Sequence, residues 1–267
     1  MDSMNTTVSS ASKNRCAGGI CYVPGGDICL HECAMREIKA KGVLRIGTPA
    51  DYLPFSYMGK EGLEGVDIDA AVAFARFLGV EPVFVNTTWK ELLEHLHEGR
   101  FHIAVGGIAI SKERRRKALF SATYFRTGKA PIALREKAGL YGSLEEIDRP
   151  GVRVIVNPGG TNEAFAKKRL LRADICVHRD NMSIFDALLE EKADLMITDA
   201  VEALVWERRY PQLKAVNPRR PFTCAKFAWM ISAGEHALKA VLDEWLVKYC
   251  ADGGIKKSLL KWMDRIA

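Results

Sequence analysis

Two carboxyl side chains stand three positions apart in Thr198-Asp199-Ala200-Val201-Glu202, directly after the apolar run Leu195-Met196-Ile197. Where a buried strand exits into a helix, such a pair can share one face and point into a cleft, as acid, base or cation partner. The same spacing fits a helix start, with Asp199 as cap and Glu202 completing a capping box. A second stretch, Asn157-Pro158-Gly159-Gly160-Thr161-Asn162-Glu163, runs from a strand into a helix. Its glycines let the backbone approach a ligand, and the free amides of the helix start favour an anion such as a carboxylate. A plain capped turn has the same composition. The stretch is neither a Walker loop nor G-x-G-x-x-G, which argues against a nucleotide. Arg114 follows the strand that ends near Gly106 and is placed to clamp a carboxylate bidentately. Arg115, Arg116 and Lys117 follow it, so a solvated face is the commoner reading. Trp89 either stacks on a planar ligand or fills the core, and Lys129 either lines a hinge or sits on the surface. No G-x-S-x-G elbow, H-E-x-x-H helix or Cys–His pair accompanies them. From residue types alone, the chemistry is that of a binder of a small anion.

The elements that must hold these residues alternate between strand and helix. Val43-Leu44-Arg45-Ile46-Gly47 reads as a buried strand, and Val66 to Leu78 as a helix stopped by Gly79. Glu81 to Asn86 alternates as a strand does, and Trp89 to Glu98 puts Leu92, Leu93 and Leu96 on one helical face. Phe101 to Gly106 reads as a strand and Lys112 to Ala118 as a short basic helix. A second series runs through a strand at Val152 to Val156, a helix from Asn162 to Leu171 and a strand at Cys176 to His178. It ends in a helix from Ser183 to Glu191 and a buried strand at Leu195 to Ile197. Such alternation predicts an α/β protein of two lobes, each a parallel sheet covered by helices. Phe227 to Ile231 reads as a further strand. Leu238, Leu242, Trp245 and Tyr249 lie on one face of a long helix, and a last helix, Lys256 to Ile266, is expected to bury Leu259, Leu260 and Met263. These are too few for a third lobe, so they are expected to return to the first. The division expected is a leader over 1–36, lobe 1 over 37–127 plus 225–267, and lobe 2 over 128–224. The chain then crosses twice between lobes, near Arg126–Ala130 and Pro221–Lys226, and a ligand sits in the central cleft.

Composition narrows the classes. With 48% hydrophobic and 27% charged residues the chain is neither disordered nor collagen-like nor a coiled coil. The longest apolar stretch, Phe101 to Ile110, is too short for a membrane span and is broken by glycines. A net charge of +6 favours small anionic partners mildly, and usually reflects solubility. Neither aromatic–basic interleaving nor zinc-finger spacing is present, so no nucleic-acid partner is expected. Four of the seven cysteines, Cys16, Cys21, Cys29 and Cys33, crowd the first 33 residues as C-x4-C-x7-C-x3-C. A zinc site prefers C-x2-C pairs, and two disulfides need an oxidising compartment. The reading favoured here is an irregular leader that adds little to the fold. No charged start followed by an apolar export core is visible in it.

Asp51-Tyr52-Leu53-Pro54-Phe55-Ser56-Tyr57 and Gly65-Val66-Asp67-Ile68-Asp69 resemble the opening of polar-amino-acid-binding proteins of the periplasmic solute-binding superfamily. Ile110-Ser111-Lys112-Glu113-Arg114 and Phe120-Ser121-Ala122-Thr123-Tyr124 continue the likeness. Within that superfamily, Gly128-Lys129-Ala130-Pro131-Ile132, the Val156–Glu163 stretch and Lys192 to Ala203 look most like the cyclohexadienyl dehydratase family. The likeness runs from about Ile38 to Trp262. It implies a type II periplasmic-binding-protein fold, two α/β lobes with a double-crossover hinge and a central cleft. It also implies an enzyme that converts prephenate to phenylpyruvate and arogenate to phenylalanine, as in phenylalanine biosynthesis.

Carried over residue by residue, the likeness implies that Arg114, Thr161 and Asn162 hold a substrate carboxylate. Asp199 matches the aspartate that meets an α-amino group in the binding proteins. Asn157 and Lys129 match polar cleft residues, Trp89 an aromatic wall, and Glu202 the general acid; Asp51 joins the substrate-binding set. Gly106-Gly107-Ile108-Ala109 departs from the usual Ser-Gly-Ile-Ser, so two ligand-facing hydroxyls are expected to be missing. No metal or organic cofactor is implied, because aromatisation drives the reaction. The partners implied are small anionic substrates, with no membrane span, and a homo-oligomer is compatible with the sequence. The family implies the periplasm, while the lack of a visible export signal leaves the cytoplasm open. The alternative activity is non-catalytic amino-acid binding for an ABC transporter. Deleting residues 1–33 is expected to leave turnover unchanged and the melting temperature within about 5 °C, a shift of about 1–2 kcal/mol at this size. A larger fall would make the cysteine cluster structural.

Overall fold

Val43–Thr48, whose last three residues are all buried, lies next to the edge of a five-stranded first sheet, with Ile103–Ala104 at its centre. Glu81–Asn86 and Ile103–Ala104 pair with Val43–Thr48 in parallel. Met230–Ser232 adds antiparallel to Ile103–Ala104, and Ala118–Phe120 forms the far edge. The computed structural model describes residues 34–266, together with the backbone pairing of Cys16–Ala17, Ile20–Tyr22 and Ile28–Cys29 as three short antiparallel strands. Beyond that pairing, the zinc, disulfide and irregular-leader readings of Cys16, Cys21, Cys29 and Cys33 lie outside the described residues. Val66–Leu78 covers one face of the sheet with Ala70, Ala71, Phe74 and Ala75 buried. It ends at Gly79, whose φ of 71° closes the helix in the left-handed conformation glycine adopts freely.

The second sheet is ordered Asp174–Val177, Arg153–Val156, Leu195–Asp199, Lys129–Leu134, Leu213–Ala215. Its first three strands pair in parallel, and Lys129–Leu134 runs antiparallel to both of its neighbours, Leu195–Asp199 and Leu213–Ala215. Both sheets are therefore mixed, which corrects the parallel sheets expected from the alternating pattern. Strands entering directly from a hinge, with no helical crossover, are free to run opposite to their neighbours. The chain passes between the sheets on two paired strands, Phe125–Thr127 and Ala225–Phe227. The single strand expected over Phe227–Ile231 is accordingly two. An unbroken apolar run does not mark the bend at Ala228–Trp229, where the chain leaves the hinge ribbon for the sheet. The strand expected over Phe101–Gly106 is likewise only Ile103–Ala104, because the backbone then turns at Gly106 (φ 125°) and Gly107 (φ 70°).

His236–Ala251 and Gly254–Ile266 return to the first lobe. The last helix buries Ile255, Ser258 and Trp262, while Leu259 and Met263 are half-buried and Leu260 is 55% exposed, contrary to expectation. The helix is rotated toward Asp69, which accepts from Ser258 Oγ (2.6 Å), Trp262 Nε1 (2.8 Å) and Lys261 Nζ (3.0 Å). Asp69→Ala strands the buried indole N–H of Trp262, and a loss of about 1–3 kcal/mol is expected. Urea unfolding checks this, as a lower midpoint at unchanged slope.

Candidate active site

Every residue of Leu195–Asp199 is buried, so the strand delivers Thr198 and Asp199 into the interior between the sheets, and Ala200–Arg209 begins there. Asp199 occupies the N-cap position but makes no side-chain cap bond. The capping box that the spacing allows is therefore absent, and both carboxyl groups are directed elsewhere. Asp199 Oδ2 accepts from the Tyr52 hydroxyl at 2.8 Å. Its Oδ1 lies 3.1 Å from Lys129 Nζ, an ion-pair distance without hydrogen-bond alignment. Cross-strand register brings this about, since Lys129 sits directly opposite Asp199. Lys129 is a buried cation, not a surface lysine. Its ammonium also donates to Thr161 Oγ1 (2.9 Å) and Asn162 Oδ1, and Asn162 Nδ2 donates to Asn157 Oδ1 (3.1 Å) and Thr198 Oγ1 (3.3 Å). Thr198 in turn donates to Glu202 Oε2. One buried network thus runs from Asn157 to Glu202.

Glu202 is 1% exposed. Burial holds its carboxyl well above the ordinary range against the Thr198 bond, and the nearby Asp199 and Asp51 push the same way. Asp51 is raised to about 6, again chiefly by burial, although Trp89 Nε1 donates to it at 2.8 Å.

Ser111 caps the short helix Lys112–Arg115 by accepting from the Arg114 amide. That cap turns Arg114 inward while Arg115, Arg116 and Lys117 remain exposed. The solvated-face reading fails for Arg114, which is 8% exposed. Its Nη1 donates to the Ala109 carbonyl at 3.1 Å, and its guanidinium carbon lies 5.8 Å from the Trp89 ring centroid. Burial lowers its pKa to about 10, and it stays charged near neutrality. Among the described residues no carboxylate pairs with it, so an anion is what this cation lacks.

Arg114, Trp89, Asn157, Thr161, Asn162 and Asp199 line a cavity of about 20 Å³ between the lobes. Lys129 and Glu202 stand behind its wall, joined to it through Asn162 and Thr198, and Asp51 is joined through Trp89. A second cavity of about 200 Å³ adjoins it at Arg114, Trp89 and Thr161. Two wall residues escaped the sequence reading. Tyr52 bridges the lobes to Asp199, and Asn181 Nδ2 bridges them to the Asp51 carbonyl at 2.8 Å. Tyr52 adjoins a candidate residue and was findable on that ground; Asn181 has no local signal. Of the two positions expected to lack ligand-facing hydroxyls, only Ala109 faces the cavity. A Cβ at Gly106 would instead lie 3.1 Å from Thr48 Oγ1 and 3.3 Å from Ser56 Cβ.

Two mixed α/β lobes on a paired-strand hinge, with a buried, unpaired cation facing the cleft between them, define a solute-binding fold. The chain belongs to the bacterial extracellular solute-binding proteins, family 3, which it matches over residues 44–265. Among curated proteins it is 44% identical over 234 residues to the cyclohexadienyl dehydratase of Pseudomonas aeruginosa, covering 87% of each chain. The structure of an ancestral amino acid-binding protein, described as a precursor of cyclohexadienyl dehydratase, superposes with a TM-score of 0.81 at 34% identity. It covers 86% of this chain and 99% of that one. An ancestral cyclohexadienyl dehydratase is 42% identical with a TM-score of 0.55, covering 86% of this chain and 96% of that one.

Proposed function

We propose that this chain is a cyclohexadienyl dehydratase acting on prephenate and arogenate, with Glu202 as general acid. The observation that carries the reading is a fully buried carboxyl, its pKa raised by that burial, tied into the network behind an anion-seeking cleft. A solute binder has no use for such an acid.

Each substrate carries a carboxylate and a hydroxyl across a cyclohexadiene ring. The bond from the ring to the carboxylate breaks and its electron pair enters the ring. The C–O bond breaks on the opposite side, and the hydroxyl leaves as water with the proton of Glu202. Carbon dioxide, water and an aromatic product result, and Glu202 regains its proton from solvent. Arg114 holds a carboxylate with the help of Thr161 and Asn162, which Lys129 braces from behind, while Trp89 walls the ring and Asn157 faces its polar side. A cavity of about 20 Å³ holds little more than one water, so the lobes part about the hinge strands to admit a ten-carbon diacid. Closure then excludes water and sustains the raised pKa of Glu202. The extracellular character of the family supports a periplasmic site of action.

Incubating the purified chain with prephenate and following phenylpyruvate absorbance tests this reading. Release of phenylpyruvate is expected. Tight amino-acid binding with no turnover would return the chain to the transporter-binding class.

A further inference from the structure

Asp67 is the second residue of Val66–Leu78, and its side chain is completely buried. A single oxygen, Oδ2, accepts three hydrogen bonds of 2.7 Å each, from the Gly106 amide, the Gly107 amide and the Tyr124 hydroxyl. Among the described residues no lysine or arginine pairs with it. Burial holds its pKa above the ordinary carboxylate value, and these donors, with Trp229, offset only part of that rise. The start of its own helix is the other favourable partner for negative charge. Closing a turn does not require an acid at so unfavourable a place, since a neutral amide oxygen accepts backbone N–H groups as well. What a carboxylate adds is the stronger, shorter grip of a charged acceptor.

That grip falls where the cleft is built. Gly106 and Gly107 have φ of 125° and 70°, a backbone that needs an external hold. Two residues on, the Ala109 carbonyl accepts from Arg114 Nη1, the one hydrogen bond of that guanidinium among the described residues. The turn also packs against Tyr52, because a Cβ at Gly107 would lie 2.5 Å from its ring.

We propose that Asp67 is a positioning residue for anion binding. By fixing the Gly106–Gly107 amides it aims the Ala109 carbonyl, and thereby the Arg114 guanidinium, into the cleft. The inference rests on the dehydratase reading only for its kinetic readout.

The test combines Asp67→Asn, Arg114→Ala and the double variant, each measured with prephenate well below its melting temperature. Asp67→Asn is expected to raise KM about tenfold, as charge-assisted bonds become neutral ones, with kcat within about threefold. In the Arg114→Ala background the same change should raise KM less than about twofold, because the residue it acts through is gone. Multiplicative effects, or an unchanged KM in the single variant, overturn the proposal. A second readout needs no substrate. The Arg114 Nε–H resonance, assigned by its loss in Arg114→Ala, should move in Asp67→Asn, and an unmoved resonance overturns the proposal whatever the chain turns over. If prephenate is not converted while the resonance moves, the functional reading fails and the positioning role stands. Should the Asn variant not fold, Asp67→Glu keeps the charge, displaces the turn and carries the same two readouts.

Discussion

Glu202→Gln should lower turnover by about 10²–10⁴-fold, the usual contribution of a general acid, while KM stays within a few-fold. Glutamine keeps the size of the side chain and can accept the Thr198 bond, but it has no proton to give to a leaving hydroxyl. The parent's activity should decline as pH rises through the raised pKa of Glu202, since only the protonated form works. The same shift couples to stability with a definite sign. In the unfolded chain the group titrates near 4.5, and in the folded chain well above it. Below the lower value the buried carboxyl is neutral in both states. As pH climbs through the higher value the fold must accommodate a charge, and the stability contributed by the proton is lost. The glutamine variant should therefore lose less stability on the alkaline side than the parent. Turnover near the parental rate in Glu202→Gln would remove Glu202 from the mechanism.

Arg114→Ala should raise KM by an amount equivalent to about 2–5 kcal/mol, the loss when one partner of a buried charge pair is removed. The carboxylate persists in substrate and transition state alike, so the change appears mainly in KM and less in kcat. Without ligand the outcome runs the other way. A buried cation with no anionic partner among the described residues is a burden on the fold, and its removal should leave the melting temperature unchanged or higher. Steady-state kinetics and a thermal melt on one preparation read both effects. An unchanged KM would return Arg114 to a side chain without a ligand.

Local patterning wrote some elements legibly and overextended others, such as the helix expected over Lys112–Ala118, which ends at Arg115. The helix Val66–Leu78 and the strand Glu81–Asn86 have the ends that their apolar spacing and Gly79 indicate. What escaped depends on distant chain. The hinge strands are only three residues each and exist because they pair with one another across about a hundred positions. Leu260 faces solvent because Asp69, far off in sequence, draws Ser258 and Trp262 inward instead. In the candidate site, Arg114 fitted a solvated face better than a ligand clamp, and Glu202 fitted a capping box well. For Arg114 the cap made by Ser111 decided, and for Glu202 it was the absence of a side-chain cap bond from Asp199. Asn181 had no signal at all, because its partner is a backbone carbonyl on the opposite lobe.

The bonds Tyr52–Asp199 and Asn181–Asp51 span the cleft and belong wholly to the chain. They favour the closed shape whether or not a solute is bound, so occupancy has less leverage over shape than where the solute alone bridges the jaws. A courier that must tell a membrane machine whether it is loaded depends on that leverage: its message is the difference between two outlines. Weakening the difference blurs the message. A reaction vessel sends none, and a lid biased toward shut serves it well.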